Sequence, residues 1–341
     1  MFILHTPRGL AANEIQRYSS IALAVFWAIL IAAPSARSQP LHPLEHERDM
    51  HVSLYPPAGE MIARWSGALL VGLQGYGTNS PTISAADRDE HVDRISFDIP
   101  GATIIYVISL GGGFDKSIVV GGNAVSSDSR RSGFVAWISP DRQQRKIIQT
   151  EPFRPEAVVL DANGVIWAAG YTVDGETGYE IGGGLLRRYD VSGAMLSSYQ
   201  LRNPDGSESF NLMSSRLMAS KDRVGWLTLI TEYIEFTLDG AIRDRFQGLW
   251  QGDKVKNIRW LSGWGLSENN DLILEKKPDE QGHVEVVALD RGKRAWVPVS
   301  LPAHSPVKPG MVAGFDGATL VLSQKDVVER LRPVEGSSAK N

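Results

Sequence analysis

A repeated pair of turn signals predicts an all-β protein, specifically a six-bladed β-propeller of four-stranded antiparallel blades. The first signal is a strand–turn–strand unit with a polar or glycine turn, and six such units recur at intervals of about 45–60 residues. The second signal is a further hairpin that follows most of these units. In addition, no segment between the hairpins has the 3.6-residue apolar period of a long amphipathic helix.

Each repeat contains two hairpins, which together make one four-stranded blade. The first hairpins align on equivalent turn positions at Gly67, Lys116, Gly164, Arg223, Asp271 and Gly317. The second hairpins turn at Gly101, Asp141, Gly193, Gly240 and Gly292. An isolated four-stranded sheet leaves its edges and one apolar face exposed, and stacking the sheets in a ring buries those faces. A two-sheet sandwich is the alternative fold.

The sixth repeat supplies only three strands, and the third of these is predicted at Val327 to Arg332. A short alternating segment at residues 50–57, MHVSLYPP, can provide the missing strand. We therefore expect an N-terminal strand to pair with the last blade and close the ring.

The N-terminal segment has the pattern of a secretory signal peptide. Arg8 and Arg17 precede a continuous apolar run at residues 21–33, and Ala36-Arg37-Ser38 follows as a small-x-small cleavage site. The apolar run is too short to cross a bilayer comfortably as a helix. We expect cleavage after Ser38 and a secreted or periplasmic mature protein, with retention of the segment as a membrane anchor as the alternative.

The predicted organisation is therefore a signal peptide at 1–38, a flexible arm at 39–49, the propeller at 50–335 and a disordered tail at 336–341. The chain has no cysteine, which excludes disulfides, thiolate metal sites and a cysteine nucleophile. Its net charge of −4 gives no indication of a nucleic-acid partner. We expect a monomer without a membrane span after cleavage.

One repeat carries a recognisable motif, LDANGVIWAAGY at residues 160–171, followed by LLRRYDVSG. This segment resembles the repeat of the NHL, SMP-30 gluconolactonase and streptogramin lyase-like six-bladed propellers. The matching positions are Asp161, Gly164, Ile166, Trp167, Tyr189, Asp190 and Gly193. The resemblance implies the fold, since these are turn and core positions. For the lactonase-like members it also implies a divalent cation held on the central axis by Glu, Asn and Asp, for which Glu156, Asn123 and Asp222 are the residues to check.

Long connections in the first three repeats indicate a binding surface. They run from Gln74 to Glu90, from Asn123 to Ser132 and from Tyr171 to Gly184. In a propeller, connections of this kind share one face, and long ordered loops on a rigid scaffold often bind ligands. The candidate ligand-binding residues are Tyr76, Asn79, Arg88, Arg130, Arg131, Arg154, Asp174 and Tyr179.

The arginines among these residues favour an anionic or polar partner, unless they pair with Asp87, Asp89 and Asp128. The first functional hypothesis is therefore a non-catalytic exported module that binds a small ligand or a protein. The alternatives are a metal-dependent lactonase-like hydrolase or lyase and a structural part of an envelope assembly. No catalytic residue and no metal ligand is assigned from the sequence itself.

Overall fold

A computed structural model describes residues 43–52, 54, 64–174, 177, 179–202, 205–208, 215–228, 232–247, 263–276, 284–302, 311–324 and 326–334. These residues belong to one compact unit, Pro40–Asn341. They form strands and turns, and within the ranges given no helix occurs that could cross a membrane. The predicted signal peptide at 1–38 and tail at 336–341 lie outside the described residues.

Six four-stranded antiparallel units, called blades here, account for the described strands. Blade 1 contains β2 (Arg64–Ser66), β3 (Leu69–Gln74), β4 (Thr82–Ala86) and β5 (Val92–Ser96). Blade 2 contains β6 (Ala102–Gly112), β7 (Ile118–Ser126), β8 (Arg131–Ile138) and β9 (Arg145–Gln149). Blade 3 contains β10 (Phe153–Leu160), β11 (Ile166–Val173), β12 (Glu180–Tyr189) and β13 (Met195–Gln200).

The remaining blades repeat this order. Blade 4 contains β14 (Arg216–Ala219), β15 (Arg223–Thr228), β16 (Glu232–Thr237) and β17 (Ile242–Gln247). Blade 5 contains β18 (Trp264–Leu266), β19 (Leu272–Glu275), β20 (Val286–Asp290) and β21 (Ala295–Pro298). Blade 6 contains β22 (Val312–Asp316), β23 (Thr319–Gln324), β24 (Val327–Pro333) and the N-terminal strand β1 (Leu44–His51).

Six apolar clusters hold the blades in a closed ring, one cluster between each pair of neighbours. Trp167 and Trp226, for example, are fully buried in the cluster between blades 3 and 4. The cluster that contains Trp65 and Val321 joins blade 6 to blade 1, where Trp65 of β2 also pairs in parallel with Gly314 of β22. The fold is therefore a six-bladed β-propeller, as the repeats predict, and the first strand of each blade lines its centre.

Strand β1 closes the ring by pairing antiparallel with β24. The predicted pairing is correct, but the strand begins earlier than the predicted range 50–57, because β1 runs over Leu44–His51 and includes most of the predicted flexible arm at 39–49. Residues 53 and 55–57 of the predicted strand lie outside the described residues. The strand was missed in the sequence because it is rich in charged residues. Two of these, Glu45 and Glu47, accept hydrogen bonds from the Nε atoms of Arg332 and Arg330 on β24, at 2.8 Å and 3.1 Å. Met50, at 0% exposure, is the apolar anchor of the strand.

The turns between the first and second strands share one backbone conformation in five blades. Gly67, Lys116, Gly164, Asn270 and Gly317 all have positive φ angles, between 57° and 76°. Glycine and asparagine adopt this left-handed conformation with the least steric cost, which is why the turn signal recurs in the sequence. In blade 5 the residue in this conformation is Asn270, one position before the predicted Asp271.

The second hairpin of blade 1 lies elsewhere than predicted. The turn at Gly101 joins blade 1 to blade 2, whereas the hairpin is formed by β4 and β5 around Glu90, whose φ is 63°. Strand β4 has the sequence TISAA, and its small residues lack the β-branched and aromatic run typical of a strand. The segment 74–90, predicted to be one long loop, therefore contains a short connection, a strand and part of a turn.

The motif around Asp161 stabilises its own turn. One carboxylate oxygen of Asp161 accepts hydrogen bonds from the backbone N–H groups of Asn163 and Val165, at 2.8 Å and 2.9 Å. The other oxygen accepts a hydrogen bond from the indole N–H of Trp167 at 2.8 Å. Because buried polar groups need partners, this arrangement fixes both the turn and the core tryptophan. The motif is structural.

Candidate functional site

The antiparallel order of each blade gives the ring two distinct faces. Connections from the second to the third strand, and from one blade to the next, lie at the end where each first strand begins, called the upper face here. Turns between the first and second strands, and between the third and fourth, lie at the other end, the lower face. These definitions follow from strand order and direction alone.

A cavity of about 300 Å³ lies in the central channel toward the upper face. It is lined at the beginning of the first strands by Arg64 of β2, Glu156 of β10, Arg216 of β14 and Trp264 of β18. Ser109 and Ser215 add hydroxyl groups to the lining, and the remaining lining residues are apolar. Its size and mixed lining are those of a small-molecule site.

Two arginines pack against one tryptophan in this cavity. The guanidinium carbons of Arg64 and Arg216 lie 3.6 Å and 4.4 Å from the ring centroid of Trp264. Arg64 also donates a hydrogen bond to the Val312 carbonyl at 2.8 Å, and Arg216 donates one to the Ser215 carbonyl at 3.1 Å. Cation–π contact and these bonds hold the two guanidiniums in place before any ligand arrives.

Arg216 retains unused hydrogen-bonding capacity. Its Nε atom is buried and makes no hydrogen bond in the structure. Burial lowers the pKa of Arg216, while the Glu156 carboxylate opposes that change. An arginine stays protonated at neutral pH even after such a change. The wall of the cavity therefore carries the positive charge of Arg216.

Glu156 is the titratable carboxyl group of the cavity. Its pKa is raised from 4.5 to about 7, chiefly by burial; the charge of Arg216 opposes the increase, Glu180 adds to it, and a hydrogen bond from Tyr171 opposes it. At neutral pH the group is therefore divided between its neutral and charged forms. A titratable group perturbed in this way inside a cleft marks a candidate functional site.

Three residues on blade 3 surround Glu156 and belong to the same polar cluster. Arg154 and Tyr171 are cross-strand partners in the β10–β11 pair, and their side chains hydrogen-bond to each other. Burial raises the pKa of Tyr171, and the charge of Glu156 raises it further. Glu180, at the start of β12, has a raised pKa because of burial, and its Oε1 atom makes no hydrogen bond.

Seven of the eight predicted ligand-binding residues lie at the upper face. Tyr76 and Asn79 are in the β3–β4 connection, Arg130 and Arg131 are at the β7–β8 connection, Asp174 and Tyr179 are in the β11–β12 connection, and Arg154 is near the start of β10. Tyr76 packs against Tyr106 with ring centroids 5.4 Å apart. Only Arg154 belongs to the polar cluster around Glu156.

The outer residues of this set do not form one positive surface. Arg130 forms an exposed ion pair with Asp128 at 3.1 Å, which is one of the pairings considered as the alternative. Tyr179 is 76% exposed and Tyr76 is 56% exposed. These outer residues do not line the central cavity, and their role in binding stays a prediction.

The predicted position of Arg88 on the upper face is wrong. Arg88 lies in the β4–β5 turn on the lower face, where its guanidinium donates a hydrogen bond to the buried carboxylate of Asp316. Arg330 donates to the other oxygen of Asp316 at 2.6 Å. The error follows from the missed strand β4, because one additional strand reverses the direction of the chain.

The residues considered for a central cation do not come together. Asp222 lies in the β14–β15 turn on the lower face, paired with Arg223 at 3.2 Å and Arg243 at 3.0 Å, whereas Glu156 lies toward the upper face. The Oδ1 atom of Asn123 on β7 is buried without a hydrogen bond. Among the residues that the structure describes, no three His, Asp or Glu side chains are grouped closely enough to hold a metal ion.

A second cavity, of about 360 Å³, opens at the lower face. Most of its charged residues are paired with one another, for example Lys116 with Asp87 at 2.8 Å and Lys221 with Glu268 at 2.7 Å. These pairs connect neighbouring blades and leave little net charge. The upper cavity is therefore the better candidate, although it is the smaller of the two.

The sequence reasoning missed Arg64, Arg216 and Trp264, which define the upper cavity. One signal could have identified them, because each is the first residue of the first strand of its blade. In a propeller, those positions converge on the axis from distant parts of the chain. Alignment of the repeats on this position, rather than on the turns, would have grouped the three residues.

No protein-family model matches the chain, and no curated protein sequence matches it. Among solved structures, it is similar to a luciferin-regenerating enzyme at 13% identity, TM-score 0.47, covering 80% of this chain and 91% of that one. A protein of unknown function from Bacteroides caccae aligns at 12% identity, TM-score 0.41, covering 77% and 78%.

The β-propeller domain of the trilobed protease from Pyrococcus furiosus aligns at 10% identity, TM-score 0.43, covering 87% of this chain and 84% of that one. All three likenesses are at the level of the fold.

Proposed function

We propose that this protein is an exported, non-catalytic binding module that holds a small anionic molecule in the upper cavity of its channel. The observation that carries the proposal is the pair of arginines stacked on Trp264 in the wall of this cavity. Two guanidiniums held side by side give this wall a positive charge, which attracts an anionic ligand. The alternative of a metal-dependent lactonase-like enzyme has less support, because Glu156 and Asp222 lie toward opposite faces.

Substitution of Arg216 tests the proposed site. We expect sulfate, phosphate or a small carboxylate to bind the protein and raise its melting temperature. Arg216→Met should lower the affinity for that anion by about 10–100-fold, because a hydrogen bond to a charged group contributes about 1.5–3 kcal/mol. Arg216→Lys, which keeps the charge without the planar fork, should give an intermediate affinity. Calorimetric titration measures each dissociation constant.

Arg243→Met is the matched control, since Arg243 is an exposed, ion-paired arginine on the lower face. It should bind the same anion as tightly as the unmodified protein. Equal affinities of the Arg216→Met and Arg243→Met variants would contradict the proposed site. Circular dichroism of both variants separates a loss of binding from a loss of folding.

Export is the second part of the proposal and is supported by the apolar run at 21–33 and the Ala36-Arg37-Ser38 site. We expect the mature protein to begin at Gln39 and to fractionate with secreted or periplasmic proteins as a monomer. Mass spectrometry of the protein from fractionated cells measures the N-terminus directly. An intact N-terminus recovered in the membrane fraction would contradict cleavage and favour the anchor.

A further inference from the structure

The upper cavity is polar on one side and apolar on the other. Arg64, Arg216 and Glu156 provide the charged and titratable groups. Apolar residues from blades 1 to 4 complete the lining: Val71, Leu73, Ile108, Leu110, Ala157 and Leu217. Such a cavity fits a molecule with one charged end and an apolar body, because each part then meets a complementary surface.

We propose that the ligand is a small carboxylic acid with an apolar body, and that its carboxylate lies between the arginine pair and a protonated Glu156. The inference rests on the proposed function and names the class of ligand for the same site. In the complex, Glu156 donates its proton in a hydrogen bond to the ligand carboxylate, and the guanidiniums donate their N–H groups to it. Where Glu156 is ionised in the free protein, it takes up that proton from solvent as the ligand enters.

The charges around Glu156 favour this arrangement. Arg64 and Arg216 face the cavity from blades 1 and 4, Tyr171 and Arg154 adjoin Glu156 on blade 3, and Glu180 lies beside them. A second carboxylate near Glu156 adds like charge, and two carboxylates that share a site retain one proton between them. With Glu156 protonated, the two guanidiniums balance the negative charges of the ligand carboxylate and Glu180.

The pH dependence follows from the pKa of Glu156, which is about 7 in the free protein. Below that pH the carboxyl group is already neutral, and a carboxylate ligand binds without additional proton uptake. Above it, binding must also protonate Glu156, so the affinity falls as the pH rises. Between pH 6 and pH 8 this linkage weakens binding by about tenfold.

Other ligand charges fit the cavity less well. A cationic molecule would be repelled by the two guanidiniums, whatever the state of Glu156. Inorganic phosphate carries negative charge but has no apolar part to cover the leucines of the lining. A neutral amide matches the carboxylate in shape but gives the arginines only a weak acceptor.

Calorimetric titration with benzoate, cyclohexanecarboxylate and hexanoate tests the inference, with their amides, benzylamine and inorganic phosphate as comparison probes. We expect at least one carboxylate to bind more tightly than its amide and than phosphate, and its affinity to fall about tenfold from pH 6 to pH 8. Titrations in two buffers of different ionisation enthalpy measure the proton taken up at the higher pH.

Glu156→Gln removes the titrating group and keeps a hydrogen-bond donor. In this variant the carboxylate should bind with one affinity across the pH range and without proton uptake. Glu285→Gln, which alters an exposed ion pair with Lys276, is the matched control and should retain the pH dependence. The same pH dependence in Glu156→Gln as in the unmodified protein would overturn the inference.

The outcomes separate this inference from the proposed function. Binding of phosphate alone, or equal binding of acid and amide, would overturn the carboxylic-acid class; a phosphate site lost in Arg216→Met would still support an anion site. Preference for benzylamine, or no binding of any probe at any pH, would contradict both.

Discussion

Deletion of residues 43–54 is expected to lower the free energy of unfolding by about 5 kcal/mol, because it removes β1 and the buried residues that follow it. Met50, Val52 and Leu54 are 0–2% exposed and pack against Trp65 and Val328 at the junction of the last and first blades. The deletion also removes the strand that pairs with β24, so β24 becomes an unpaired edge of the sheet. Denaturant titration measures the change.

A point substitution tests the same contact in case the deletion variant does not fold. Met50→Ala should cost about 2–5 kcal/mol, the usual range for a buried methionine. His51→Ala, at an exposed position of the same strand, should change the free energy of unfolding by less than about 0.5 kcal/mol. If both substitutions have equally small effects, β1 does not close the ring.

Glu235→Ala should lower the free energy of unfolding by about 3–5 kcal/mol, because it removes the buried carboxylate that Arg223 and Arg291 share. One oxygen of Glu235 accepts from Arg223 at 3.0 Å, and the other accepts from the Tyr233 hydroxyl at 2.9 Å and from Arg291 of blade 5 at 2.5 Å. The side chains of Arg223 and Glu235 are 6% and 1% exposed.

Two further variants serve as controls for the loss of stability in Glu235→Ala. Glu235→Gln keeps the shape and an acceptor, so it should cost less than Glu235→Ala. Glu285→Ala breaks the exposed pair with Lys276 and should cost no more than about 1 kcal/mol, as is usual for surface ion pairs. If Glu235→Ala and Glu285→Ala lower the free energy of unfolding by similar amounts, the buried ion-pair cluster stabilises the fold no more than an exposed ion pair does.

The fold was predictable because the sequence signals for its turns and core residues are local and recur in successive blades. The left-handed turns at Gly67, Gly164 and Gly317 and the buried tryptophans at 167 and 226 are visible in the sequence at regular spacing. The errors arose where local signals are weak, in the small residues of β4 and the charged residues of β1. In both places, burial or pairing with distant strands overrides the propensity of the segment.

The candidate site was less predictable because it has no local signature. Arg64, Glu156, Arg216 and Trp264 come from four different blades and meet only when the ring forms. Loop length, which guided the sequence prediction, led to residues that lie mostly on the upper face. It could not reveal that the buried charges lie on the channel wall inside that face.

The pairing of β1 with β24 also affects how the molecule is assembled during synthesis. These two strands are adjacent in space, yet the five complete blades and two strands of the sixth lie between them in the chain. Contacts of such long sequence separation form slowly, because a large loop must close before they are made. The pair that closes the ring therefore cannot form until β24 is present, whether the chain folds as it is synthesised or after it has crossed a membrane.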